Sequence, residues 1–354
     1  MGTSDFQKKY FLKRQDYGIL YPYIMSDSVT DINWNGRQLW IDDLEKGRYL
    51  APEILTDTFV ERLTILLSNV AGLPFNRMNP VLEAETEELR VSIVHGCVAH
   101  SGITISFRKI PAVRRLDKND MVKSGYCSEE ICDFLIHCIQ AHCSVAICGL
   151  PGAGKTELLK YLTKYIPATE RVITIEDVLE IHFPQINPDN DCVEMKVAEN
   201  FSYTEAIKAS LRQLPKWIIL SEARSTEVRY LLESLSTGTC GLTTLHTDDV
   251  RNIPDRMKNM AGGTKDLERI INDTFRFIDV GILVKNRVDK DGHTGRRVEQ
   301  IAVFDRYGIE WKETVNRIVM LAEDGKVINR KLPVNIRRKF QEAGIENPFG
   351  GVRL

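Results

Sequence analysis

Residues 144–156 read Ser144-Val-Ala-Ile-Cys-Gly149-Leu-Pro-Gly-Ala-Gly-Lys155-Thr156, followed by Glu157-Leu-Leu-Lys-Tyr-Leu162. The segment from Gly149 to Thr156 fits G-x-x-x-x-G-K-[ST]. Its order has a physical logic. An apolar strand delivers the chain to a glycine-rich turn. The glycines let backbone N–H groups point inward around phosphate oxygens, and the helix that follows adds the positive end of its dipole. The pattern predicts a phosphate cradle made of Gly149, Leu150, Pro151, Gly152, Ala153, Gly154, Lys155, Thr156 and Glu157. Lys155 would reach the β- and γ-phosphates, and the Thr156 hydroxyl would hold Mg²⁺.

Such a loop needs carboxylates opposite it. The apolar run Arg171-Val-Ile-Thr-Ile ends in Glu176-Asp177, and Trp217-Ile-Ile-Leu220 ends in Ser221-Glu222. Parallel α/β sheets bind ligands at the carboxyl ends of their strands, so acids placed there can orient water or a metal-bound water. Glu222 is expected to polarise the attacking water. Glu176 and Asp177 are expected to serve the Mg²⁺ shell or the γ-phosphate. His246 ends a further strand candidate, 242–246, and is expected on the same edge, to sense the γ-phosphate or to carry a signal to a neighbouring subunit.

Working outward, strand candidates at 144–149, 171–176, 216–221, 242–246 and 279–285 alternate with helical stretches at 129–142, 155–165, 202–213, 225–236, 250–260 and 265–273. Alternation of this kind predicts a mainly parallel sheet covered on both faces. The N-terminal part has a different texture. Val29 to Gly36 alternates and ends in Asn-Gly, a hairpin signal, with Gln38 to Asp42 returning. Thr56 to Ala71 shows helical spacing and stops at Gly72-Leu-Pro74. Leu89 to His95 and Ile103 to Phe107 read as strands. The expected organisation is an α+β domain over 1–112, a polar, proline-broken linker over 113–128, and an α/β domain over 129–354.

Composition excludes several classes. Of 354 residues, 43% are hydrophobic and 27% charged, which is ordinary for a globular protein and argues against disorder or coiled coil. The 47 Lys and Arg nearly balance 49 Asp and Glu, which argues against a protein built to coat nucleic acid. No C-x-x-C pair occurs among the 8 cysteines, so no zinc-ribbon or thioredoxin signature is present, and reduced thiols are expected. Cys138 and His142 are four apart, yet buried thiol chemistry is the simpler reading for the cysteine set. The long uncharged run from Phe134 to Gly154 carries histidines, Gln140 and the glycine loop, which suits a protein interior better than a bilayer. A soluble chain is expected, at most peripheral to a membrane. The basic-aromatic stretch Phe6 to Arg14 is the candidate for lipid contact.

Four motifs in this order resemble the type II/type IV secretion ATPase family, the traffic ATPases. The phosphate loop is 149–156. Ile173-Thr-Ile-Glu-Asp-Val-Leu-Glu180 resembles the family's Asp box, Leu211 to Arg224 with Glu227 its Walker B segment, and Ser236 to His246 its His box. The hairpin strand at Val29, Arg90-Val-Ser-Ile93 and Ile103 to Lys109 are similar to its N-terminal domain. The tetracysteine zinc element of one branch is missing, so the chain looks closest to the CpaF/tight-adherence and VirB-type conjugation branch. The sequence departs from the family pattern at Ser221, where glycine is usual, and at Thr239, where the first His-box histidine is usual.

The resemblance implies a RecA-like C-terminal P-loop NTPase domain and a homo-hexameric ATP-hydrolysing motor. It would power a secretion, conjugation or pilus assembly machine at the cytoplasmic face of the inner membrane. ATP and Mg²⁺ would be its cofactors, membrane-complex proteins its partners, and direct sequence-specific nucleic acid contact is not expected. Arg90 and Arg108 would reach the phosphates, with Arg224 acting near Glu222. The competing expectation is a nucleotide-gated scaffold ring that hydrolyses weakly because of Ser221 and Thr239.

Overall fold

The computed structural model describes residues 9–263, 267–288, 294–309 and 313–352. The chain divides into two compact units, Met1–Ala112 and Val113–Leu354.

In the first unit, α1 (Tyr21–Met25) leads into β1 (Val29–Trp34), β2 (Leu39–Asp43) and β3 (Gly47–Leu50); α2 (Asp57–Ala71), β4 (Val81–Glu85), β5 (Leu89–Val94) and β6 (Thr104–Lys109) follow. The strands form one antiparallel sheet of order β3-β2-β1-β6-β5-β4. Period-two alternation sets its faces. Leu89, Val91 and Ile93 are buried, while Arg90, Ser92 and Val94 between them are half-buried. The Asn35-Gly36 turn forms as expected: the Asn35 side chain accepts from the Arg37 and Gln38 amides, and Gly36 has φ +90°. Helix α2 starts where the Thr56 hydroxyl accepts from the Phe59 amide and stops at left-handed Gly72. Its Val60, Leu63 and Leu67 close the core over Ile32, Ile41 and Phe107. Tyr10, Phe11 and Leu12 are buried in that same core. This part of the Phe6 to Arg14 stretch is therefore committed to packing; residues 1–8 lie outside the described residues.

The second unit opens with α3 (Lys118–Lys123) and α4 (Glu129–Gln140), followed by β7 (Val145–Cys148) and α5 (Lys155–Thr163). Next come β8 (Val172–Glu176), α6 (Phe183–Ile186), β9 (Cys192–Lys196), α7 (Tyr203–Ser210) and β10 (Trp217–Leu220). They are followed by α8 (Glu227–Ser236), β11 (Cys240–Leu245), α9 (Ile253–Ala261) and α10 (Leu267–Phe277). The unit closes with β12 (Val280–Val288), β13 (Thr294–Ile309), β14 (Glu313–Glu323), β15 (Lys326–Val327) and α11 (Val334–Glu342). The sheet order is β15-β14-β13-β12-β7-β11-β10-β8-β9. From β12 to β9 every pairing is parallel. The other end is an antiparallel extension, β12 to β15. Strand β9 and the β13–β15 extension add to the strands that the sequence pattern predicts.

Two apolar layers sandwich the parallel part. One joins α4 and α5 to one sheet face, and the other joins α7 to α10 to the opposite face. Strands β7, β8, β10 and β11 are buried along their whole length, which explains their unbroken apolar runs. The stretch expected as a linker belongs to this unit. It carries α3, whose N-cap is Asp117, and it buries Met121 and Tyr126 in the first layer. Its polar surface hides a few apolar anchors, and that is why composition reads it as a linker. His142 lies beyond the end of α4, so it does not share a helix face with Cys138. Its ring stacks on Trp217 and its Nε2 meets Glu170 at 2.7 Å, while Glu170 also accepts from the Trp217 indole. Among the described residues no helix is long and apolar enough to cross a membrane.

Helix α11 is fastened to the sheet by charge. Lys339 Nζ lies 2.6 Å from Asp279 Oδ2, and that carboxylate also accepts from the Ser144 amide at the start of β7. Burial pushes the Asp279 carboxyl up, and Lys339 opposes the shift. Replacing Lys339 by alanine strands this carboxylate. The expected cost is about 2 kcal/mol, reduced from a fully buried pair because Lys339 is partly solvated. Asp279→Asn, which keeps an acceptor for Ser144, should cost less. Urea unfolding of both variants checks the order.

Candidate functional site

Parallel pairing brings the carboxyl ends of β7, β8, β10 and β11 to one edge of the sheet. The loop 149–154 leaves β7 there, and α5 begins at Lys155 with left-handed Gly154 (φ +92°) as its N-cap. Gly149 is fixed by space. A Cβ built on it would stand 2.4 Å from the Val284 carbonyl oxygen on β12. Gly152 also holds a positive φ, +75°. Ala153 is buried, whereas Leu150 is exposed on the outside of the loop. The first-turn N–H groups of α5 have no intrahelical acceptor and face an anion-binding concavity by construction. Glu157 lies in that first turn, half-buried, and Thr156 beside it is also half-buried.

Lys155 is buried, and its ammonium donates to the Gly149 and Leu150 carbonyls at 3.1 and 3.2 Å. Desolvation holds its pKa below the usual lysine value, with Glu222 opposing that shift. The third neighbour of Lys155 Nζ is His246 Nδ1 at 3.2 Å. The other imidazole nitrogen, Nε2, lies 2.8 Å from Glu222 Oε1. Nδ1 also lies 3.2 Å from the Gly149 carbonyl oxygen, so the ring bridges the loop and its lysine to Glu222. Glu222 Oε2 accepts from Arg224 Nη2 at 2.9 Å, and Arg224 Nη1 reaches Asp177 at 2.5 Å. Lys155, His246, Glu222, Arg224 and Asp177 thus form one continuous polar chain across the strand ends.

The supports of this chain come from the same edge. The Thr244 hydroxyl donates to the Ser221 carbonyl and the Ala223 amide to the Thr244 carbonyl, which ties the loop after β10 to β11. Buried Glu227 accepts from the Arg224 and Ser225 amides. The Tyr203 hydroxyl accepts from the Asp177 amide. Hydrogen bonds to Glu222, followed by the Asp177 and Glu222 charges, hold the Arg224 pKa above its usual value against desolvation. Arg224 is half-exposed, so these pairs are screened and readily exchanged for another anion.

Of the remaining expected residues, Glu176 and Thr239 do not face the cradle, and Arg90 and Arg108 belong to the first unit. Glu176 is fully buried, and its Oε2 accepts from the Glu180 and Ile181 amides at 3.0 Å, so it anchors the loop after β8 instead of opening to the cradle. Arg90 and Arg108 belong to the first unit, where they are cross-strand partners on β5 and β6; Arg108 also donates to Asp31. Thr239, expected to disturb the sensor end of β11, precedes that strand, while His246 follows it. The strand between them is about 20 Å long at ~3.3 Å per residue. Thr239 therefore stands at the opposite edge of the sheet, beside His142 and Ser144.

The donor set fits a magnesium nucleotide. A lysine and free helix amides suit phosphate, and the Thr156 hydroxyl with carboxylate oxygen from Asp177 suits a hard cation. Thr156 and Asp177 would hold Mg²⁺, whose charge would neutralise the β- and γ-oxygens.

Sequence comparison gives the chain's family and relatives. The profile of the family described as "Type II/IV secretion system protein" matches residues 74–289. An uncharacterised protein of Bacillus anthracis is 28% identical over 291 residues, covering 80% of this chain and 66% of its own. The type IV secretion system protein PtlH of Bordetella pertussis is 29% identical over 190 residues, covering 50% of this chain and 54% of its own. The chain thus spans a little under two thirds of the Bacillus relative's length. In structure, the ATPase DotB of Yersinia pseudotuberculosis superposes with a TM-score of 0.62 at 15% identity, over 82% of this chain and 78% of that one, a likeness of fold.

Burial pushes the Glu176 carboxyl up to about 8, against the two amides that favour its charged form. A raised carboxyl stabilises the fold below its unfolded pKa, and the contribution is lost as pH rises through the folded value. The wild type should therefore lose a few kcal/mol between about pH 5 and pH 8 from this group alone. Glu176→Gln should flatten that slope, and denaturant midpoints measured across the range would show it.

Proposed function

We propose, for a chain that belongs to the type II/IV secretion system protein family, that this protein hydrolyses ATP at the 149–156 loop and works as a motor of a secretion, conjugation or pilus assembly machine. The observation that carries the reading is the Lys155–His246–Glu222 chain. It links the loop lysine to a carboxylate on a neighbouring parallel strand, and His246 makes that carboxylate sensitive to what Lys155 is bonded to. The parallel core flanked by helices supports a RecA-like assignment for the second unit.

Roles follow from chemistry. The cradle amides and Lys155 bind the phosphates. Glu222 orients the attacking water and accepts its proton. His246 holds Glu222 in place until Lys155 turns from the loop carbonyls to phosphate. Arg224, screened and exchangeable, moves between Asp177 and the developing phosphoryl charge. Glu176 positions the Asp177 loop without touching substrate. Arg90 and Arg108 are proposed as phosphate contacts on the family resemblance alone. A homo-hexameric ring, ATP with Mg²⁺, partners in a membrane complex and a place at the cytoplasmic face of the membrane belong to the same reading. The competing reading, a weakly hydrolysing scaffold ring, rests on the departures at Ser221 and Thr239.

ATP turnover by the purified chain is the test. Lys155→Ala should abolish both turnover and tight nucleotide binding. Glu222→Gln should keep binding and lower turnover at least a hundredfold, the order expected for a positioned acid–base group. Normal turnover in Lys155→Ala would refute the assignment of the loop, and binding without turnover in the wild type would favour the scaffold.

A further inference from the structure

Sequence β13 begins Thr294-Gly-Arg296-Arg297-Val298-Glu299. Alternation along a strand sends Arg296 and Val298 to one face and Arg297 to the other. Val298 is buried in the layer that contains α5, and its amide donates to the Tyr126 carbonyl at 2.8 Å. Arg296 is therefore on the α5 side, two residues further toward the edge at which the phosphate loop lies. The contact is direct. A Cβ built on Gly154 would stand 3.0 Å from Arg296 Cδ and 3.6 Å from its Nε. The stem of Arg296 thus lies on the glycine immediately before Lys155.

The charges of this hairpin are unequal in their partners. Arg297 bonds Glu299, and Arg287 on β12 lies 3.9 Å from the same carboxylate. Arg296 is half-buried, yet its guanidinium makes no hydrogen bond or ion pair among the described residues. Two further polar groups nearby are buried and unpartnered: the Tyr126 hydroxyl and Glu157 Oε2. Arg115 approaches the other Glu157 oxygen no closer than 3.8 Å. A permanently charged, partly desolvated guanidinium without a carboxylate is costly, and it is best matched by a phosphate, which offers bidentate acceptor geometry.

We propose that Arg296 is a nucleotide-anchoring residue whose guanidinium bonds the non-terminal phosphates of the nucleotide held by the 149–156 loop. The inference rests on the reading of that loop as a nucleotide site. Because it stands at Gly154, on the β12–β13 side of the loop and away from the His246–Glu222 chain, Arg296 serves phosphates common to ATP and ADP. It anchors; it does not sense the γ-phosphate.

Calorimetric titration of the full chain with MgATP, MgADP and magnesium tripolyphosphate tests this. Arg296→Ala should weaken all three by about tenfold or more, the scale of a hydrogen bond to a charged group. Arg296→Lys should recover part of the loss, and Arg287→Ala on the neighbouring strand should bind as wild type. Thermal melts of each variant confirm that it is folded. Binding of all three ligands by folded Arg296→Ala within twofold of wild type overturns the proposal. So does a loss confined to the two nucleotides with tripolyphosphate unchanged, which would place the side chain on the base. Lys155→Ala separates the two readings. If it loses binding while Arg296→Ala does not, only the Arg296 inference fails; if Lys155→Ala also binds normally, the loop assignment itself fails.

Discussion

Hydrogen bonding between strands that run in one direction is the constraint from which the site follows. Strands β12, β7, β11, β10, β8 and β9 pair in parallel, so the chain must leave every one of them at the same edge. Strand β7 is held on both sides, by β11 and β12. The loop after it therefore starts from a backbone that cannot shift without breaking two ladders. The loops after β8, β10 and β11 open beside it, and Asp177, Glu222 and His246 arrive together although as many as 69 residues separate them in sequence. The Val284 carbonyl on the next strand leaves no room for a side chain at Gly149.

The polar chain across that edge balances itself. Two carboxylates, Asp177 and Glu222, meet two cations, Lys155 and Arg224, with the His246 ring between them. Each cation has acceptors that an incoming phosphate can replace. Lys155 is bonded to two loop carbonyls, which cost little to release, and Arg224 is half in water. The buried acids shape loops: Glu176 and Glu227 each turn one carboxylate oxygen to two backbone amides. Chemistry at the rim and scaffolding beneath it are thus separated by depth.

What the sequence makes legible follows from how local each signal is. The glycine loop, the buried strands β7, β8, β10 and β11, the Asn35-Gly36 turn and the two ends of α2 each depend on contiguous residues, and each forms where the pattern places it. The β13–β15 extension escaped because its strands mix Arg, Glu and Gln with apolar residues, a texture that half-buried hairpins share with loops. The stretch around α3 escaped because its anchors, Met121 and Tyr126 among them, are too few to mark it. Glu176 ends a strand, as a site acid would, but the direction of its side chain is fixed by the amides of Glu180 and Ile181, which no spacing reveals. The Lys155–His246–Glu222 chain and the place of Arg296 on Gly154 depend on rotamers and strand register, and both arise only once the sheet is assembled.

The distribution of thiols has a practical meaning. Cys97 is the first unit's sole cysteine and is exposed; the other seven lie between 127 and 240, six of them buried. Burial holds the Cys192 and Cys240 thiols at about 12, far from the thiolate that alkylating reagents attack. A maleimide dye would therefore mark the first unit at a single point while the second stays dark. The slow appearance of further labels would then time the opening of the second unit's interior, so that the native chain carries both a built-in beacon and a clock.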